Sequence, residues 1–201
     1  SHTYDHALLP TSGGWTDIAR MREGKPVVVH GDGTSLWTLT HSDDFAVAFT
    51  ALLGAPEAIG EAYTITGDHA PTWNQIYGWL ADAAGVAEPR LVHIASETIA
   101  AFVPDLGPGL VGDKAHSMVF DNTKIRSLAP EFRTTITFDE GARRILAHYD
   151  ANPELQVVDP ELDAAFDRMV AHADASGHSC RRHPERPPVD PRAVSSLVPF
   201  S

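Results

Sequence analysis

Stretches with helix-spaced apolar residues alternate along this chain with short β-branched runs, and that alternation sets the first reading of its fold. Trp15, Ile18, Ala19 and Met21 share a face and predict a short helix over 15–22, stopped by Gly24. Pro26 opens Val27-Val28-Val29-His30, a run suited to a strand. The turn Gly31-Asp32-Gly33-Thr34 leads into 36–40, so the two runs are expected to pair as a hairpin. Ser42 is placed to cap a helix carrying Phe45, Ala46, Phe49, Leu52 and Leu53. Asp43 and Asp44 stand where the positive end of the helix dipole favours carboxylates.

The same pattern continues. Residues 62–66 (Ala-Tyr-Thr-Ile-Thr) predict a strand, and Thr72 caps a helix over 73–84 that stops at Gly85. Residues 90–94 predict another strand, followed by a helix from Ser96-Glu97. The glycine- and proline-bearing stretch 104–118 reads as loose. Phe138-Asp139-Glu140 opens a helix with Ile145, Leu146 and Tyr149 on one face; Pro160-Glu161 opens a last one with Leu162, Phe166, Met169 and Val170. The sum is an α/β arrangement of about five short strands and six helices, without internal repeats.

Charge divides the chain in two. The net charge of −12 conceals a balance of −14 up to Asp174 and +2 from Ala175 onward. The second stretch holds Pro184, Pro187, Pro188, Pro191 and Pro199 among Arg181, Arg182, Arg186 and Arg192, and shows no periodicity. Prolines remove backbone donors and disfavour helix in the preceding residue. The expected organisation is therefore an α/β region over 1–174 and a disordered Pro/Arg-rich tail over 175–201. An acidic body opposes a phosphate backbone, which makes nucleic acid an unfavoured partner. The single cysteine, Cys180, excludes an intrachain disulfide and points to a reducing, cytoplasmic setting; no run is long and apolar enough to span a membrane.

Candidate chemistry is sparse. Gly107-Pro108-Gly109-Leu110-Val111-Gly112 satisfies the G-x-G-x-x-G pattern of dinucleotide loops. Its context is wrong, because Phe102-Val103-Pro104-Asp105-Leu106 is no buried strand and no helical stripe follows; a flexible loop is the better reading. His178, Cys180 and His183 could in principle offer zinc ligands, but they sit among arginines, and no metal site is expected. Neither Gly-x-Ser-x-Gly nor His-Glu-x-x-His occurs, and a histidine-based metallohydrolase ranks last.

An ordered series of short elements is more specific. Ser1-His2-Thr3-Tyr4, Leu9-Pro10, Gly24-Lys25-Pro26, Gly31-Asp32-Gly33, His41-Ser42-Asp43-Asp44 and Tyr63-Thr64-Ile65-Thr66-Gly67 follow one another, then Asp121-Asn122-Thr123-Lys124 and Phe138-Asp139-Glu140-Gly141. In order and spacing this series resembles the NAD-dependent epimerase/dehydratase family of extended short-chain dehydrogenases, over about residues 1–170. The resemblance implies the C-terminal portion of a Rossmann-type protein and NAD or NADP as cofactor. Members of that family use a Tyr-x-x-x-Lys pair and a glycine-rich strand-to-helix turn. Here the residues four places after Tyr4, Tyr63, Tyr77 and Tyr149 are Leu8, Gly67, Ala81 and Pro153, so no such pair exists and no catalytic residue is assigned.

The chain is accordingly expected to be the substrate-binding part of such an oxidoreductase or isomerase, catalytically incomplete alone; serine at position 1 fits a piece of a longer protein. By resemblance His2, Thr3 and Tyr4 lie near the nicotinamide edge, and Val29, His30, Trp37 and Lys114 line a cleft for a small-molecule substrate. Where nucleotide-sugar members place an arginine, Trp37 stands, so a smaller or uncharged substrate is expected no less than a nucleotide sugar. The expected macromolecular partner is the missing N-terminal half or a second copy. The alternative is a non-catalytic α/β module that binds a protein or RNA.

Overall fold

A computed structural model describes residues 2–176. Four strands are present among them: β1 (His2–Tyr4), β2 (Val27–His30), β3 (Leu39–His41) and β4 (Leu91–Ile94). The helices are α1 (Trp15–Arg22), α2 (Ser42–Leu53), α3 (Trp73–Ala83), α4 (Ser96–Phe102), a single turn α5 (Gly107–Gly109), α6 (Thr123–Leu128), α7 (Phe138–Ala151) and α8 (Pro160–Ala175). The result is a mixed α/β fold with short parallel strands.

The hairpin expected from 27–40 does not form. β2 pairs in parallel with β4, Val27 opposite Leu91, while β3 pairs in parallel with β1, His2 opposite Leu39. Gly31 and Gly33 both adopt positive φ, at 59° and 69°, but the turn they make carries the chain from one strand pair to the other. Burial explains the choice. All four residues of β2 are buried, as befits a parallel strand covered on both faces. Val27 and Val29 enter the core built by α1, α3 and α7, and Val28 enters a second one with Ile94, Ile99, Phe166 and Met169.

Three further expectations change. Residues 62–66 form no ladder; Thr66 is instead held by the Asn122 side chain, and the Gly67 N–H donates to Thr40 Oγ1 at 2.8 Å. The stretch 104–118 is not loose: a 3-10 turn, α5 and a π turn over Leu110–Lys114 run in succession. Gly107 is needed there because a Cβ would meet the Ala100 Cβ of α4 at 3.1 Å. The cap of α2 is His41, whose Nδ1 accepts from the Asp43 N–H at 3.2 Å, so Ser42 lies inside the helix. Asp44 turns inward and accepts from the N–H groups of Thr135 and Ile136 at 3.0 and 2.9 Å.

Other elements follow their sequence signals. Thr72 and Gln75 form the reciprocal capping box that starts α3, and Asp159 accepts from Glu161 and Leu162 to start α8. Arg20, 1 % exposed, ties α1 to α8 through Asp163 and Asp167, and its Nε donates to Pro26 O at 2.7 Å. Tyr4 is buried against Phe138 and His41, beneath α7, where Gly141 leaves room for its ring. Phe49 and Leu53 of α2 face outward, 45 % and 74 % exposed.

Candidate functional site

Two stretches far apart in sequence meet just past the end of β2. His30 closes the strand, and its Nε2–H donates to the Lys114 carbonyl at 3.2 Å; Ser35 Oγ donates to the same oxygen at 2.8 Å. The backbone of 117–118 is then stitched to 36–38. Leu36 N–H donates to Ser117 Oγ at 3.1 Å, Met118 N–H to Leu36 O at 2.8 Å, and Thr38 Oγ1 to Met118 O at 2.6 Å. These bonds hold open a polar cleft of about 360 Å³ lined by His30, Asp32, Thr34, Ser35 and Ser117.

Aromatic rings form the wall behind it. His30 meets Trp73 edge-on at 4.8 Å, and Trp73 leans on Trp37 at 5.5 Å. The Lys114 ammonium lies 5.6 Å from the Trp37 ring centre, a separation at which the ring quadrupole attracts a cation. Both indole N–H groups, of Trp37 and Trp73, are buried without a partner among the described residues. On the opposite rim Gly33 leaves space for Asn74, which donates to the Asp32 carbonyl at 3.0 Å and accepts from His93 Nε2 at 2.7 Å.

The electrostatics favour neutral imidazoles. Burial lowers the pKa of His30, with the charge of Lys114 adding to the effect and the Lys114 carbonyl opposing it. Burial likewise lowers His93 and His2, and Lys114 adds to the depression at His2. Asp32 is held below the usual carboxylate range by hydrogen bonds from the Thr34 hydroxyl and N–H. The cleft therefore presents an ionised carboxylate, hydroxyls and an uncharged imidazole, with one ammonium parked over an indole.

Of the residues singled out from sequence, His30, Trp37 and Lys114 come together, and His2 lies close enough to feel the charge of Lys114. Val29 is wholly buried in the core behind them. Thr3 is exposed on β1. Tyr4 is buried, its hydroxyl has no partner, and desolvation keeps the phenol protonated. Sequence reasoning missed Trp73, Asn74, His93 and Ser35. The capping box at Thr72 was a usable signal for the first two, since it fixes where α3 begins and which way its first turn faces.

The G-x-G-x-x-G stretch is helical, with Gly107 and Gly109 at φ −53° and −72°. No group of three or more metal-ligating side chains occurs among the described residues, and His178, Cys180 and His183 fall outside them. No described helix is long and apolar enough to cross a membrane.

Residues 15–66 match the NAD dependent epimerase/dehydratase family. The chain is 34% identical over 74 residues to the chloroplast stem-loop binding protein of 41 kDa b of Arabidopsis thaliana, covering 37% of this chain and 20% of that protein. It is 29% identical over 126 residues to the 2'-dehydrokanamycin reductase of Streptomyces kanamyceticus, covering 62% and 34%. The fold matches UDP-glucuronic acid 4-epimerase from Bacillus cereus, solved with UDP-glucuronic acid and NAD, at a TM-score of 0.57 and 20% identity, over 75% of this chain and 43% of that one. The chain thus spans about a fifth and about a third of those two relatives and under half of the solved epimerase.

Proposed function

We propose, from the premise that residues 15–66 are a segment of the NAD-dependent epimerase/dehydratase family, that this chain supplies the substrate-binding portion of an oxidoreductase or isomerase acting on a sugar or another small polar molecule. The observation that carries the reading is the polar cleft past β2, where His30, Asp32, Thr34 and Ser35 meet Ser117 and the Lys114 carbonyl from a segment about 80 residues away. Relatives with sugar-type names, an epimerase of a nucleotide sugar and a reductase named for an aminoglycoside, support the substrate class.

In this reading NAD or NADP supplies hydride transfer. Only the nicotinamide end would be met by this chain, along β1, by His2 and Thr3. Tyr4 fits that role poorly, because its hydroxyl is buried under α7. The three glycines at 107–112 offer no cradle for a pyrophosphate, so that group would be held by residues N-terminal to this segment in a longer protein. His30 and Ser35 hold the Lys114 backbone, the buried Trp37 packs behind them, and Asp32 with the hydroxyls of Thr34, Ser35 and Ser117 supplies partners for substrate hydroxyls.

Among the described residues β1 pairs only with β3, which leaves its other edge for a further parallel strand. That edge and the exposed Phe49 and Leu53 support a macromolecular partner, either the family's N-terminal half or a second copy. The test is reconstitution: the chain is fused to a dinucleotide-binding half of the family, and NADH is titrated by fluorescence. Saturable binding is expected, weakened by His2→Ala; no binding by the fused protein overturns the proposal. The stem-loop relative favours RNA as a second reading, which the −14 balance over 1–174 opposes.

A further inference from the structure

A second cavity, of about 310 Å³, lies apart from the His30 cleft, between the start of β3, the 67–71 loop, α3 and the segment leading into α7. Its floor is apolar: Leu39, Pro71, Ile136, Phe138 and Trp79. Trp15, Trp37 and Trp73 are all buried, whereas Trp79 is only half-buried and opens on this space, tilted against Phe138 at 6.3 Å. The size suits one substituted ring.

The rim discriminates by charge. Two carboxylates, Asp68 and Asp139, and the His69 imidazole line it, with no lysine or arginine among the described residues. Asp68 is fully occupied, accepting from Arg126 on both oxygens and from Thr134 and Asn122. It is part of the wall. Asp139 accepts from Thr137 on one oxygen and from Arg143, at 3.2 Å, on the other, which leaves acceptor capacity on a group with about four lone-pair sites. Arg143 itself lies outside the lining.

We propose that this cavity binds a small ring-bearing amine, its ring stacked on Trp79 and its ammonium directed at Asp139. An aromatic face and a carboxylate together attract such a cation, and the same carboxylates repel an anion of equal size. The site is independent of the cleft at His30 and stands or falls separately from the activity proposed for it.

The test uses three probes with one phenol ring: tyramine, 4-ethylphenol and 3-(4-hydroxyphenyl)propionate. Each is titrated into the full chain, with calorimetry for affinity and amide NMR for location. Tyramine is expected to bind more tightly than 4-ethylphenol by about three- to fivefold, with shifts at α3 and the start of α7, and the propionate not to bind. Asp139→Asn, an exposed helix-start change that spares the core, should bring tyramine down to the level of 4-ethylphenol; Trp79→Phe should weaken both. Equal affinities, shifts confined to other elements, an unchanged ratio in D139N, or no binding by any probe would each overturn the proposal.

Discussion

Gly141 in α7 offers a sharp test of the packing. An alanine there should stabilise an isolated helix by about 1 kcal/mol through propensity alone. In this fold its Cβ would fall on the Tyr4 hydroxyl and within 2.6 Å of ring carbon Cε2 and 2.8 Å of Cζ. Tyr4 is 2 % exposed and wedged between His41 and Phe138, so the ring has no easy retreat. Overpacking of this kind costs about 1–3 kcal/mol, and here it should exceed the propensity gain, leaving Gly141→Ala less stable by up to about 2 kcal/mol. Tyr4→Phe removes a buried hydroxyl that has no partner and should be neutral or stabilising by up to about 1 kcal/mol. Combined, the two changes should be less destabilising than G141A alone, because the oxygen is gone, but not fully rescued, because the ring carbons remain. Urea unfolding followed by circular dichroism gives all four corners of the cycle. A G141A protein more stable than wild type, or strictly additive effects, would refute the close approach of α7 to β1.

Three further outcomes are expected. Arg20→Ala strips a buried cation from Asp163, Asp167 and the Pro26 carbonyl; with both carboxylates partly open to solvent the loss should be about 2–4 kcal/mol, below that of a fully buried pair, read from the same urea curves. Asp17 is wholly buried, and desolvation pushes its pKa from 3.8 up to about 7 against the opposing Gly13 N–H and Arg20 charge. A proton held more tightly in the fold means that this group costs stability as pH rises from about 4 through 7, so Asp17→Asn should gain on wild type by a few kcal/mol between pH 4 and 8; parallel curves would contradict the burial argument. Filter binding of a stem-loop RNA at low salt should show no retention by residues 1–174, and tight retention of that truncated chain would reverse the electrostatic reasoning.

Local chemistry carried much of the fold in plain view. The cap at Thr72, the start of the last helix at Pro160 and the apolar stripe of Ile145 and Leu146 sit at their expected places because each is settled within a few residues. Strand pairing was not legible. Val27–His30 and its neighbour Leu39–His41 look like a hairpin in sequence, yet each finds its partner elsewhere, and only burial of β2 on both faces decides that. Thr64, Ile65 and Thr66 are β-branched, but Asn122, just before α6, takes up the Thr66 N–H and carbonyl that a ladder would have used. At the cleft, His30, Trp37 and Lys114 were reachable through family resemblance. Their partners Ser35, Asn74 and His93 were not, since nothing in spacing brings 74 and 93 beside 32.

Lys114 is held in the cleft by its carbonyl, which takes two hydrogen bonds, and not by its side chain. Placement and identity are thereby separated at this position. A segment pinned through main chain keeps its path whatever residue it displays, so the Lys114 ammonium beside the cleft can be exchanged without dismantling the wall that carries it. Position 114 is thus a natural dial for retuning ligand charge, by evolution or by design, while the neighbouring glycines and indoles are fixed by shape.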